Sequence, residues 1–321
     1  MNNQSFIRST EVRLFLILAT TLFVLLVLSF VFGLKVERKD SSVPSKAAFQ
    51  PFPTVLIKAK AAYVYDARTK TVLFAKNENT RLPLASLAKI MSALVAEDSS
   101  PLYGTVTVSS EALQAEGDSG LYRDEKWSLK NLLDFSLVTS SNDGMRAVAL
   151  SLGALSRAGA SSEEIINDFV GEMNRKAGDI GLKNTYFWNE TGLDLPTGKA
   201  GESAVKGGAY GTARDMGVLL EYVLVHHPDL FSATREVATT LRSFDNRLHK
   251  AKNTNSIIAE IPGLLASKTG LTDTAGGNLV IAFDPELGRP IIISILSSTE
   301  EGRFNDVRIL VGAVMEYIKH N

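Results

Sequence analysis

The chain has 321 residues, 45% hydrophobic and 21% charged, with a net charge of -1. Such a mixture builds a globular core and offers no basic field for nucleic acid or an anionic surface. Cysteine is absent, which excludes disulfides, thiol catalysis and cysteine-held zinc or iron–sulfur centres.

The first element is an uncharged run of 21 residues, Leu14 to Leu34, flanked by Arg8 and Arg13 before it and Lys35, Arg38 and Lys39 after it. That length spans a hydrocarbon core of ~30 Å. A cleaved leader has a shorter apolar stretch and a nearby small-x-small site, and "SKAA" at 45–48 is a poor and distant one. The expectation is an uncleaved transmembrane anchor at 14–34, with a short cytoplasmic tail at 1–13. Basic residues on both sides leave its orientation open. Residues 35–55, "KDSSVPSKAAFQPFPT" among them, read as a tether, and 56–321 as one catalytic domain.

"AAYVYDARTKTVLFAK", 61–76, holds two strand-like runs around a polar turn and predicts a hairpin. A helix follows, with apolar residues at Leu87, Ile90, Met91, Leu94 and Val95. Ser86 and Lys89 stand three residues apart at its start, close to one turn, which places the side chains together. The middle, about 108–225, reads as mainly helical. The last third returns to strands in "GLLASKTG", "GGNLVIAFD" and "PIIISILSS", and "FNDVRILVGAVMEYIKH" closes the chain as a helix. Strands at both ends with helices between and after them imply an α+β fold. One antiparallel sheet is built from both chain ends and packed with helices, with a mostly helical lobe inserted. The groove between sheet and lobe is the expected site.

Three short polar motifs lie at element edges. A serine hydroxyl is a weak nucleophile until a base takes its proton. The four histidines, His226, His227, His249 and His320, occupy no nucleophile elbow, and GxSxG is absent. Lys89 can serve instead if desolvation or a neighbouring cation lowers its pKa. The plain alternative is a helix-start serine beside a solvated lysine. Ser140-Ser141-Asn142 sits between two apolar helices, where an N-cap is the plain alternative. Lys268-Thr269-Gly270 lies on a strand and offers a cation, a hydroxyl and a glycine that permits close backbone approach; an exposed edge lysine is the plain alternative. No HExxH pair is present, so a metallopeptidase is not supported.

SxxK, SxN and KTG in this order form the trio of penicillin-binding proteins and class A β-lactamases. With "AAYVYDARTKTVLFAKNENTRLPLASLAKIMSALV", "GLKNTYFWNETGLD", "GTARDMGVLL" and "GLLASKTGLTDTAGGNLV", the chain resembles the low-molecular-weight penicillin-binding proteins of peptidase family S11, the serine D-alanyl-D-alanine carboxypeptidases. The resemblance runs from about residue 59 to the C-terminus and implies a β-lactamase/transpeptidase-like fold and no cofactor or metal. It implies Ser86 as acylated nucleophile, Lys89 as general base and Ser140 as proton relay. Asn142 is then a substrate-binding amide, Lys268 and Thr269 bind the substrate carboxylate with help from Arg303, and Gly270 and Leu271 complete the substrate-binding strand. The Ser86 and Leu271 N–H groups form the oxyanion hole. Leu271 departs from the polar residue that often follows KTG in the family.

The substrate implied is the peptidoglycan stem peptide, with β-lactam antibiotics as covalent inhibitors. The location implied is the bacterial cell membrane, single-pass, with the catalytic domain outside. The resemblance also leads to the expectation that the family's C-terminal β-domain and amphipathic anchor are missing, the N-terminal helix replacing the latter. Three alternatives remain: a D,D-endopeptidase on cross-links, a β-lactamase using Glu190 of "NETGLD", and a non-catalytic wall-binding protein.

Overall fold

A computed structural model describes residues 18–24, 52, 55–157, 159–197 and 205–320. The chain divides into two units, 1–48 and 49–321. In the first, 18–24 is helical and exposed. The rest of the expected tail and anchor, and nearly all of the tether, lie outside the described residues. No described helix is long and apolar enough to cross a membrane.

The second unit is organised by a five-stranded antiparallel sheet. Its strands are β1 (Ala61–Asp66), β2 (Thr71–Lys76), β3 (Leu264–Thr272), β4 (Gly276–Phe283) and β5 (Ile291–Ser298), in the order β3-β4-β5-β1-β2. The first strand of this unit and its last meet where β1 pairs with β5, Val64 opposite Ile293. β3 is an edge strand and carries Lys268.

Successive side chains on a strand point to opposite faces, and here both faces are buried. Leu279, Ile281 and Phe283 of β4, with Ile291, Ile293 and Ile295 of β5, enter one core with Phe304, Val307 and Leu310. Those three belong to α6 (Gly302–His320). Val280, Ala282, Ile292 and Leu296 face the other core, which the remaining helices fill. Double burial explains why β4 and β5 read as near-continuous apolar runs.

That second core centres on α1 (Ala88–Ser99), buried at every position from Ala88 to Ala96. A 3-10 turn, Ala85–Leu87, leads into it, so Ser86 lies on the turn and Lys89 on the helix. Around α1 stand α2 (Leu129–Thr139), α3 (Asn142–Ser156), α4 (Ser162–Asp179) and α5 (Ala213–His226). Each start is chemically marked. The Ser128, Ser141, Ser161 and Thr212 hydroxyls accept backbone N–H groups at the four N-termini. Ser161 and Glu164 complete a reciprocal capping box. Gly217 of α5 lies so close to the sheet that a Cβ would come 2.9 Å from the Tyr63 ring.

The middle is less helical than the sequence suggests. Residues 104–128 hold only short strands and one 3-10 turn. From 181 to 211 the described residues form turns and two- or three-residue strands, since glycine and proline recur there and break helical runs. A further hairpin, Ala238–Arg242 with Leu248–Lys252, is absent from the sequence reading.

Asp306 of α6 joins the chain ends. It is buried, accepts the N–H groups of Lys58 and Ala59 at 2.8 Å each, and accepts the Ser298 hydroxyl at 2.6 Å. Asp306→Ala leaves three donors without an acceptor and is expected to cost about 3 kcal/mol or more of unfolding free energy. Urea denaturation measures this; a loss under about 1 kcal/mol would show that the carboxylate does not hold the chain ends together.

Candidate active site

The site begins with a strained turn. Ala85, just before Ser86, has φ 49, a left-handed conformation costly for a residue with a Cβ. Two neighbours clamp it. Gly192 lies behind the turn so closely that a Cβ there would sit 1.9 Å from the Ala85 oxygen. On the sheet side, a Cβ at Gly270 would meet the Leu84 oxygen at 2.8 Å and the Ala85 Cβ at 3.3 Å. The glycine of KTG is therefore required by the nucleophile turn itself, beyond any approach of a ligand. Asn278 of β4 adds a third hold, its amide donating to the Pro83 and Leu84 oxygens at 3.0 Å.

Lys89 points from α1 into this knot and is 0% exposed. Its Nζ lies 2.8 Å from Ser86 Oγ, 2.6 Å from Asn142 Oδ1 and 2.9 Å from the Thr191 carbonyl oxygen. Burial lowers its pKa to about 7, against partial opposition from the negative charges of Glu190 and Asp143. In its neutral form, accessible near pH 7, the amine carries two N–H bonds and one lone pair. With the N–H groups donated to Asn142 and Thr191, the lone pair faces the Ser86 hydroxyl, the arrangement a general base requires.

A second group lies beside the first. Ser140 ends α2 with φ 61 and Ser141 caps α3. The motif thus joins two helices in one tight step, and the N-cap expected for it is Ser141. Lys268 Nζ reaches from the edge strand across to Ser140 Oγ at 2.9 Å and to the Thr269 oxygen at 2.8 Å. It is 1% exposed, so the edge position does not make it a solvated lysine. Burial first, then the Lys89 and Arg303 charges, push its pKa well below the ordinary range. Asn142 donates its amide to the Glu116 oxygen at 2.8 Å, which fixes the oxygen toward Lys89.

The remaining candidates flank this pair of lysines. Thr269 Oγ1 lies 2.6 Å from Thr254 Oγ1. Arg303, at the start of α6, is 7% exposed, donates from Nη1 to the Gly270 oxygen at 2.9 Å and packs over the Phe304 ring. Burial lowers its pKa, but a guanidinium keeps its charge at neutral pH. Leu271 is 41% exposed and borders a groove of about 590 Å³ together with Glu116, Leu193, Asp194 and Thr272.

Ser86, Lys89 and Asn142 are in direct contact, as are Ser140 and Lys268, while Arg303 reaches the group through Gly270. Glu190, weighed above as the carboxylate of a hydrolytic water, is 0% exposed, with Oε1 2.8 Å from Arg146 Nε. Two participants are not in the sequence reading: the Thr191 carbonyl and Asn189, which shapes its turn. An Asn three residues before a glycine, in "NETG", is the turn signature that marks them.

The description of peptidase S11, D-alanyl-D-alanine carboxypeptidase, matches residues 45–298, and the chain belongs to this family. It is 30% identical over 271 residues to D-alanyl-D-alanine carboxypeptidase DacF of Bacillus subtilis, covering 82% of this chain and 64% of that protein. It is 31% identical over 257 residues to the D-alanyl-D-alanine endopeptidase of Pseudomonas aeruginosa, covering 78% of this chain and 74% of the relative. Penicillin-binding protein D2 of Listeria monocytogenes, solved in its cefotaxime-bound form, superposes with a TM-score of 0.66 at 26% identity, over 82% of this chain and 99% of that one. The α+β fold expected above is the fold of this group.

Gly270→Ala forces a methyl group against the Leu84 carbonyl and displaces the turn that holds Ser86. Misplacing a reacting atom by about 1 Å costs on the order of 10²-fold in rate. Acylation by a fluorescent penicillin is expected to fall by about that factor in a folded protein. Wild-type acylation by this variant would mean that the strand does not position the nucleophile.

Proposed function

We propose that the protein is a serine D,D-carboxypeptidase that removes the terminal D-alanine from peptidoglycan stem peptides through an acyl-Ser86 intermediate. The observation that carries this reading is the fully buried Lys89 amine, held at once on Ser86, Asn142 and Thr191. Lys89 takes the Ser86 proton as Oγ bonds to the carbonyl carbon of the penultimate D-alanine. The Ser86 and Leu271 N–H groups receive the developing oxyanion. Close packing of β3 on the 84–85 backbone supports that pairing. As the C–N bond breaks, the proton passes through Ser140 to the leaving amine. Water then attacks the acyl-serine, Lys89 accepts its proton, and Ser86 regains its hydroxyl.

Lys268, Thr269 and Arg303 supply the positive field and hydroxyl for the terminal carboxylate, with Asn142 along the peptide. The charged Arg303 guanidinium, with Lys268 and Thr269 as further donors, favours a chain end over an internal bond, which supports carboxypeptidase over endopeptidase action. The Pseudomonas relative keeps the endopeptidase as a second reading. The ion pair of Glu190 Oε1 with Arg146, and the family match to D-alanyl-D-alanine carboxypeptidase, argue against a β-lactamase. Intact Ser86, Lys89, Asn142 and Lys268 argue against a non-catalytic binder. β-Lactams acylate the same serine in this reading, with the cefotaxime-bound Listeria structure as support. The apolar run 14–34 would hold the domain on the outer face of the membrane.

Labelled penicillin is expected to attach to the wild type and not to Ser86→Ala; labelling that survives the change would assign the nucleophile elsewhere. Arg303→Lys is expected to lower kcat/KM for D-alanine release by roughly 10-fold or more, because lysine cannot reproduce the guanidinium fork. Amidating the substrate's terminal carboxyl is expected to remove most of the wild-type turnover. Equal turnover of free-acid and amidated peptides would favour the endopeptidase.

A further inference from the structure

Asn189 has no place in the reaction above, yet its side chain is the hub of the turn that meets Lys89. It is 7% exposed. Its Oδ1 accepts the Gly192 N–H at 2.6 Å, the Thr191 N–H at 3.2 Å and the Thr191 hydroxyl at 3.3 Å. Its Nδ2 donates to the Leu193 oxygen at 2.8 Å. Each of these four side-chain hydrogen bonds closes residues 189–193. Gly208 supports it from below: a Cβ there would lie 2.4 Å from Asn189 Nδ2 and 2.1 Å from the Leu193 oxygen. The Ser92 hydroxyl, three residues after Lys89 on α1, ties the turn to the helix through the Glu190 oxygen at 2.5 Å.

We propose that Asn189 is a positioning residue for acylation: its amide folds the turn that holds the Thr191 carbonyl on Lys89, and so aims the amine's lone pair at Ser86. This rests on Lys89 being the base. Of the two acceptors that orient the amine, Asn142 Oδ1 belongs to a side chain that also faces substrate. The Thr191 oxygen is backbone, and no side-chain substitution removes it directly; Asn189 is the handle on it. The same turn packs Gly192 against Ala85, so one device orients the base and backs the nucleophile.

The charged groups that face Lys89 are Asp143 at the start of α3, Glu190 of this turn with its partner Arg146, and Lys268 on β3. A carboxylate at 189 would add negative charge to this set and hold the proton on Lys89 to higher pH. Asn189→Asp keeps the acceptor oxygen for Gly192 and Thr191, gives up the donor to the Leu193 oxygen and adds that charge.

The test is acylation of the full chain by a fluorescent penicillin, followed against concentration and pH for the wild type, Asn189→Ala, Asn189→Asp and Lys89→Ala. In Asn189→Ala the saturating rate is expected to fall at least tenfold while the half-saturating concentration changes less than about twofold, because the carboxylate-binding groups are untouched. In Asn189→Asp the plateau rate at high pH is expected to return to within a few-fold of wild type, with the acid limb of the profile moved to higher pH. Rescue of the plateau by the variant that keeps the acceptor oxygen, beside a loss in Asn189→Ala confined to the saturating rate, is a pattern a merely structural role would not give. A wild-type rate and profile in Asn189→Ala, or a loss confined to half-saturation, would overturn the proposal. Should Asn189→Ala fail to fold, Asn189→Asp decides alone, and a folded Asn189→Asp whose plateau stays more than tenfold below wild type overturns the proposal. Normal acylation by Lys89→Ala would instead overturn the base assignment itself; an inactive Lys89→Ala beside normal Asn189 variants removes only the role given to Asn189.

Discussion

Removing the Lys89 amine from water is the constraint on which the rest of the site depends. An ammonium in this position would forfeit hydration that three hydrogen-bond acceptors only partly replace, and the neutral amine is favoured accordingly. Neutrality is useful only if the lone pair points at Ser86, so the two oxygens that occupy the N–H groups matter as much as the burial. Lys268 lies under the same constraint: its own burial, and then the Lys89 and Arg303 charges, push its pKa well below the ordinary range.

The fold exists around that constraint in a concrete way. The oxygens that meet Lys89 come from 53 and 102 residues further along the chain, and Lys268 arrives on an edge strand built from the last third. The sheet joins β1 to β5, and through β5 and β4 it carries β3 to the 84–85 turn. Ala85 and Ser140 both sit in the left-handed region, a cost of about 1–3 kcal/mol each that surrounding packing has to offset. Both strained residues adjoin groups of the proposed chemistry: Ala85 precedes the nucleophile, and Ser140 is the relay.

Local spacing made a good part of this legible. Ser86 and Lys89 are one turn apart, the strands carry apolar runs, and serine or threonine announces each helix of the lobe. Depth was not legible in the same way. Lys89 and Lys268 look like ordinary solvent-facing lysines until distant segments cover them, and no local pattern records that covering. Leu87, Ile90, Met91, Leu94 and Val95 suggested a one-sided stripe, but alanines at 88, 93 and 96 let the helix be enclosed on every side. The 238–252 hairpin escaped because its strands alternate exposed and partly covered residues with little apolar signal. Asn189 was not legible because "NETGLD" presents Glu190 as its reactive group, whereas the chemistry of the turn lies in the neighbouring amide.

The central claim is a neutral lysine base, and the most direct measurement is of that amine. The Lys89 Nζ resonance, assigned by comparison with Lys89→Arg in protein labelled with nitrogen-15 at lysine side chains, can be titrated by NMR in the absence of substrate. The account predicts a midpoint of about 7, against the ordinary lysine value of 10.5. A midpoint near 10 would leave Lys89 charged under working conditions and contradict its assignment as the base.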